Sequence, residues 1–257
     1  MAVANILKTM IKILINGCNG KMGQVLAKEI AKTPDAEVLC GVDRIDTGDN
    51  AFPVFTNIEE INLIPDVIID FSVPESTFNI LEFAKQKNIP IVIATTGFTD
   101  IELEKIKAYS EIIPVFKSAN MSYEINLISK LVAEIARKLP DTDIEIVETH
   151  HNRKIDAPSG TALILADSIN EALDNQMNYE YNRHAKREKR SKKEIGIHSI
   201  RGGNECGKHT VIFFGENESL EITHNVNSRA VFASGAIKAA NFIIHKNPGL
   251  YNMNHMV

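Results

Sequence analysis

The chain has 257 residues, 44% of them hydrophobic and 24% charged, an ordinary composition for one large or two medium globular domains. A formal net charge of −5 argues against a general affinity for nucleic acid or an anionic membrane, so any anion site has to be local. Cys18, Cys40 and Cys206 are odd in number, far apart and without a CxxC, which argues against a disulfide framework or a zinc site and for a reducing cytoplasm.

In chain order, residues 1–9 precede a second methionine, Met10, and add nothing periodic. No apolar core followed by a small-residue cleavage site follows them, so neither a targeting signal nor a membrane span is expected, and this segment is expected to lie outside the fold. From Ile11 short β-branched runs alternate with longer helical patterns, the mark of βαβ units on a parallel sheet. Strands are predicted at 11–17, 37–43, 66–72, 90–97 and 113–120, with a first helix at 24–33; their continuous apolar character predicts cover on both faces. Thr99, followed three residues later by Glu102, forms a capping box that opens a second amphipathic helix. The pattern then changes. A long helix at about 122–139 leads to a strand at 143–151 and a helix from Ser159 to about Leu173. Three runs follow with no helix between them, at 194–203, 209–216 and 219–226, predicting an antiparallel or mixed sheet in a second domain. The expected division is 10–121, 122–228 and a C-terminal helix and tail, 229–257, long enough to return to the first domain.

"GCNGKMG", residues 17–23, joins the first strand to the first helix, where backbone N–H groups can meet a pyrophosphate at a helix N-terminus. Taken alone, this GxxGxxG pattern also fits an ordinary tight turn, and Asn19 stands where a second glycine is usual. Its setting favours a dinucleotide: Asp43 ends the second strand, where an acid accepts from ribose hydroxyls, and Arg44 beside it suits a 2′-phosphate. Candidate cofactor residues are therefore Gly17, Cys18, Asn19, Gly20, Lys21, Met22, Asp43 and Arg44. Cys18 reads as a small filler rather than a nucleophile. Two small polar strand ends, Ala94-Thr95-Thr96-Gly97 and Ser118-Ala119-Asn120-Met121, read as the floor under a nicotinamide ring, although each alone would also fit a capped helix start.

"ETHHNRKIDAPSGTA", residues 148–162, crowds His150, His151 and Lys154 ahead of a Pro-Ser-Gly-Thr helix start with Ser159 as N-cap. Free N–H groups and the dipole at such a start bind anions, and the two histidines and lysine can converge on the same carboxylate ligand. Zinc is disfavoured because HExxH is absent and no cysteine or suitably spaced acid joins the pair. With "GCNGKMG", "EIVETHHNRKIDAPSGTAL", "IGIHSIRGG", "GKHTVIFFGENESLEITH" and "SRAVFASGAIKAA" together, the sequence from about Met10 onward resembles the 4-hydroxy-tetrahydrodipicolinate reductase (dihydrodipicolinate reductase) family of the diaminopimelate and lysine pathway.

The resemblance implies an α/β fold: an N-terminal Rossmann dinucleotide-binding domain plus a central α+β substrate-binding and oligomerisation domain with a mixed sheet, assembled as a homotetramer. It implies NADH or NADPH as cofactor, hydride delivery to C4 of a small cyclic dicarboxylate and protonation at C3. His150 matches the proton donor and Lys154 the second catalytic group. His151, Ser159, Gly160 and Thr161 match positions on one substrate carboxylate, and Arg229 a position on the second. Ala94 departs from the pattern, standing where many relatives have glycine. Two rival readings come from other classes. The basic run 183–193 suggests nucleic acid, but it carries no aromatic residue and reads better as an exposed mobile segment; a redox-sensing regulator would not need the paired histidines and lysine.

Overall fold

A computed structural model of the chain describes residues 10–256; the expectation for residues 1–9 lies outside them. The chain divides into two compact units, one made of the residues up to Ser122 together with those from Ala230 onward, the other of Tyr123–Arg229.

In the first unit β1 (Ile11–Asn16), β2 (Ala36–Val42), β3 (Val54–Phe55), β4 (Val67–Asp70), β5 (Ile91–Ile93), β6 (Pro114–Lys117) and β12 (Gly249–Tyr251) form a parallel sheet in the order β12-β6-β5-β4-β1-β2-β3. The strands alternate with α1 (Lys21–Ile30), α2 (Pro74–Lys87) and α3 (Asp100–Ser110), and α6 (Ala230–Ile243) precedes β12. Strand order reverses between β1 and β4, the doubly wound arrangement that binds ligands beyond the carboxyl ends of its strands. Both faces are covered, as the continuous apolar runs require. Ile13 and Ile15 of β1 pack with Leu26 of α1 and Ala236 of α6, while Leu14 between them packs with Ile80 of α2 and Ile106 of α3. The Thr99–Glu102 capping box that opens α3 is present.

In the second unit β7 (Asp143–His150), β8 (Asn178–Glu180), β9 (Glu194–Arg201), β10 (Lys208–Phe214) and β11 (Ser219–Asn225) form a mixed sheet in the order β11-β10-β7-β9-β8. β7 runs parallel to β9 and antiparallel to β10. α4 (Tyr123–Lys138) and α5 (Gly160–Ala172) supply Val132, Ala136, Leu165 and Ile169 to a core with Ile144, Ile146, Ile195, Val211 and Phe213. The basic run 183–193, expected as an exposed mobile segment, is exposed except at Arg183 and Arg190, and several of its side chains are tied to the sheet. Arg190 is largely buried, bonded to Glu145 at 2.9 Å, Asp143 at 3.1 Å and the carbonyls of Ile144 and Glu194, while Arg183 pairs with Glu194 and Lys186 with Glu180. Carboxylates on the sheet neutralise charges that a bare count leaves unpaired. Among the described residues no helix is long and apolar enough to cross a membrane.

Candidate active site

Sheet register places the candidate cofactor residues of the first unit on one edge. Phe55, Val42, Asn16, Asp70, Ile93 and Lys117 pair in one row across the strands. The next residue along each of the five inner strands is Asp43, Gly17, Phe71, Ala94 or Ser118, so the predicted groups arrive together at the carboxyl edge.

The glycine turn fits a dinucleotide phosphate. Gly17 has φ +80°, and a Cβ there would stand 2.7 Å from the Phe71 carbonyl oxygen; a Cβ at Gly23 would overlap the Gly17 carbonyl oxygen and lie 2.7 Å from Cys18 Cα. The chain thus approaches itself too closely for side chains at both positions. Gly20 caps α1 without a side chain, leaving the helix start bare for an anion. Cys18 differs from its neighbours: its side chain lies in the core, and burial, with the Asp43 charge, pushes the thiol up to about 12, so only its backbone can face a ligand. Asn19 has no left-handed backbone and is held in the turn by hydrogen bonds. Its N–H donates to Asp43 Oδ2 at 2.8 Å, its Nδ2 donates to the Ile45 carbonyl at 2.7 Å, and its Oδ1 accepts from Asn50 at 2.8 Å. Lys21 and Arg44 are exposed, and Met22 is half-buried.

The two floor segments are less uniform than their sequences suggest. Thr96, Gly97 and Ala119 are exposed, but Thr95 is buried and donates its hydroxyl to Asp70 at 2.9 Å. Ser118 donates to the Asn120 carbonyl at 2.8 Å, and Met121 packs in the core. Asp70, which sequence reasoning passed over, also accepts from Asn16, Ser72 and Thr77, tying the ends of three strands to the start of α2.

In the second unit β7 ends on His150 and α5 opens at Gly160. Glu148 joins them. This carboxylate is fully buried; its Oε2 lies 2.6 Å from His150 Nδ1 and its Oε1 accepts the Ser159 N–H at 3.1 Å. The guanidinium fork of Arg201 donates to both oxygens at 2.8 and 2.7 Å and also to the Asp156 carbonyl at 2.8 Å. Burial pushes the Glu148 carboxyl up, yet hydrogen bonds from Arg201, Ser199 and His150 outweigh it and hold the group at about 2. Neither Glu148 nor Arg201 was among the predicted site residues. The available signal was phase: Ile144, Ile146 and Glu148 share the core-facing side of β7, and a charge continuing an apolar alternation needs a partner.

Ser159 caps α5 through its Oγ, which accepts from the Ala162 N–H at 3.2 Å and is hydrogen-bonded to His209 Nε2 at 2.8 Å. Its hydroxyl is thereby engaged within the protein, and the helix start faces outward through Gly160, which is exposed with open space where a Cβ would lie. Thr161, in the same turn, is half-buried. The His209 ring meets His150 edge-on at 5.1 Å; burial, reinforced by the His150 charge, pushes His209 down to about 4, so it stands neutral beside its neighbour. A turn closed by the Lys154 N–H to the His151 carbonyl (3.1 Å) brings Lys154 back, with its Nζ 2.8 Å from both oxygens of Asp156. His151 is fixed by its own N–H to the Glu205 carbonyl at 2.7 Å, and its Nδ1 has no hydrogen-bond partner among the described residues. Arg229 is exposed immediately before α6. Among the described residues no group of three or more His, Cys, Asp or Glu is placed to hold a metal ion.

Two family models match nearly the whole chain: dihydrodipicolinate reductase, N-terminus, over residues 11–121, and dihydrodipicolinate reductase, C-terminus, over residues 124–257. The chain is 50% identical over 248 residues to a 4-hydroxy-tetrahydrodipicolinate reductase of Caldanaerobacter subterraneus subsp. tengcongensis, covering 96% of this chain and 98% of that one. It is 47% identical over 249 residues to the enzyme of the same name from Clostridium tetani, with coverage of 96% and 97%. A dipicolinate-bound dihydrodipicolinate reductase from Paenisporosarcina sp. TG-14 superposes with a TM-score of 0.82 at 29% identity, covering 97% of this chain and all (100%) of that one. The chain belongs to the dihydrodipicolinate reductase family and is an oxidoreductase.

Proposed function

We propose that the protein reduces 4-hydroxy-tetrahydrodipicolinate to tetrahydrodipicolinate in diaminopimelate and lysine synthesis, in the cytoplasm, with NADH or NADPH and as a homotetramer. One observation carries the assignment of the site: Glu148 binds His150 Nδ1 through one oxygen and the Ser159 amide through the other, locking a proton-carrying ring to a helix start suited to a carboxylate. Loss of the 4-hydroxyl as water would leave an unsaturated cyclic imine, and a reduced nicotinamide bound at the glycine turn would supply hydride to its C4, leaving an enamine to be protonated at C3. The cradle at Gly17 and Gly23, the uncapped start of α1 and the acid at Asp43 support such a cofactor. The relative whose structure holds dipicolinate, a planar aromatic dicarboxylate, supports the substrate class.

In this reading Gly160 and Thr161 take one carboxylate at the head of α5, with His151 beside them, and Arg229 takes the other through its planar fork. Ser159 acts through its backbone and by fixing the helix start. Lys154 places a positive charge near the electron-rich intermediate, and His150 delivers the proton to C3 from Nε2. General acid catalysis of this kind contributes about 10² to 10⁴ in rate. His150→Gln and Lys154→Ala are therefore each expected to lower turnover at least about tenfold while the protein stays folded and still binds reduced cofactor. Consumption of NADH or NADPH on adding the cyclic imine, with pyridine-2,6-dicarboxylate competing, tests the activity directly. Near wild-type turnover in either variant would remove that residue from the chemistry, and a chain without hydride transfer would overturn the reading.

A further inference from the structure

We propose that Glu148 is a positioning residue for the proton transfer, fixing the His150 ring in the tautomer that carries hydrogen on Nδ1 and presents Nε2 to the substrate, with Arg201 holding the carboxylate in place. The proposal rests on the assignment of His150 as proton donor. Its first support is donor and acceptor inventory. An ionised carboxylate only accepts, and Glu148 Oε2 lies 2.6 Å from His150 Nδ1, so the hydrogen on that line belongs to the ring. Burial alone would neutralise such an acid. Here the Arg201 fork meets both oxygens at 2.8 and 2.7 Å and the Ser159 amide adds a third donor, which keeps the carboxylate charged where it stands.

The second support is where the other nitrogen points. A Cβ on Gly207 would lie 3.1 Å from His150 Nε2, so the absence of a side chain at Gly207 is what leaves that nitrogen room. The ring is confined edge-on by His209, itself tied to Ser159. His150 is therefore held on Nδ1, packed on one side and relieved of crowding at Nε2. Proton balance follows directly. Protonated His150 gives the Nε2 proton to C3, the new C–H bond forms from the electron pair left by hydride addition, and the ring is left neutral with its hydrogen on Nδ1. The ring needs no tautomeric shift before a solvent proton reloads Nε2. Without the acceptor at Nδ1 the neutral ring divides between tautomers and orientations, and the fraction able to be reloaded at Nε2 falls.

Nitrogen-15 NMR of histidine-labelled wild-type protein is the first test: near neutral pH the neutral His150 ring, assigned by its loss in His150→Gln, is expected as the Nδ1–H tautomer. An Nε2–H tautomer would overturn the proposal without any variant of Glu148. Kinetics provide the second. Glu148→Gln should lower turnover at least tenfold while the KM for the cyclic imine and the affinity for pyridine-2,6-dicarboxylate change less than threefold. In a His150→Gln background it should cost almost nothing further, because a residue acting through His150 has nothing left to position. A comparable loss in both backgrounds would mark Glu148 as merely structural and overturn the proposal, as would wild-type turnover in Glu148→Gln. If His150→Gln itself turns over normally, the assignment of His150 falls instead, and the NMR result still decides whether Glu148 sets the tautomer.

Discussion

Asp43 and Arg44 are adjacent in sequence but differently held. Asp43 is oriented by two backbone amides, Asn19 to Oδ2 and Arg44 to Oδ1, each at 2.8 Å, so its carboxylate faces the glycine turn as a fixed acceptor. The Arg44 side chain is exposed. A fixed acid favours ribose hydroxyls and repels a 2′-phosphate, whereas an exposed arginine attracts that phosphate through a screened charge. Both cofactors should serve, with a moderate lean to NADH. A hydrogen bond to a charged group is worth about 1.5–3 kcal/mol, so Arg44→Ala should cut kcat/KM for NADPH by about tenfold or more and for NADH much less. Steady-state kinetics at low and high salt measure this, with NADPH the more salt-sensitive cofactor. Equal losses for both cofactors would show that Arg44 does not meet the 2′-phosphate.

A helix start carries the candidate cofactor turn of the first unit and another the candidate carboxylate position of the second, and they differ in what a methyl group does to them. A Cβ at Gly23 overlaps the backbone of the glycine turn, so Gly23→Ala should weaken cofactor binding at least tenfold and lower the melting temperature. A Cβ at Gly160 meets nothing, so Gly160→Ala should leave the melting temperature nearly unchanged while weakening pyridine-2,6-dicarboxylate, whose carboxylate would share that space. Calorimetry and thermal melts on the two variants separate the effects; undiminished inhibitor binding in Gly160→Ala would move the carboxylate elsewhere. These starts were legible because turn chemistry is local: glycines, a serine cap and a capping box announce themselves within a few residues. α2 was less visible. Its signals, Pro74 in the first turn and Asn88 in left-handed conformation at the end, frame a helix in which polar residues interrupt the apolar face. β3, β8 and β12 are two or three residues long and owe their existence to a neighbouring strand, which no local pattern encodes. Glu148 and Arg201 stayed hidden for a similar reason, since their pairing spans 53 residues and arises only when β7 and β9 align.

Across the whole molecule, the two units should respond to acid with opposite signs at their buried groups. In the second unit His209 sits at about 4 against an ordinary 6.5, and Glu148 at about 2 against 4.5. Both folded values are depressed, so the unfolded chain binds protons first and stability is lost as pH falls, from 6.5 to about 4 through His209 and from 4.5 to about 2 through Glu148. A shift of that size corresponds to about 3 kcal/mol for each group, a large share of the stability of a domain. In the first unit burial pushes Asp70 above its ordinary value despite hydrogen bonds from Ser72, Thr77, Thr95 and Asn16. There the folded state binds the proton first, so acid favours it. Glu82 and Glu102 are lowered, but both lie at the surface, where solvent and salt screen them. Acidification from pH 7 toward pH 4 should therefore open the second unit first. Hydrogen exchange followed by mass spectrometry, corrected for the pH dependence of intrinsic exchange, should show protection lost in β7, β10 and α5 while β1, β4 and β5 keep theirs. His209→Gln should reduce the loss above pH 4, because it removes the more deeply buried of the two histidines of this unit that burial lowers, His224 being the other. Simultaneous loss in both units, or earlier loss in the first, would show that these buried groups do not govern acid stability.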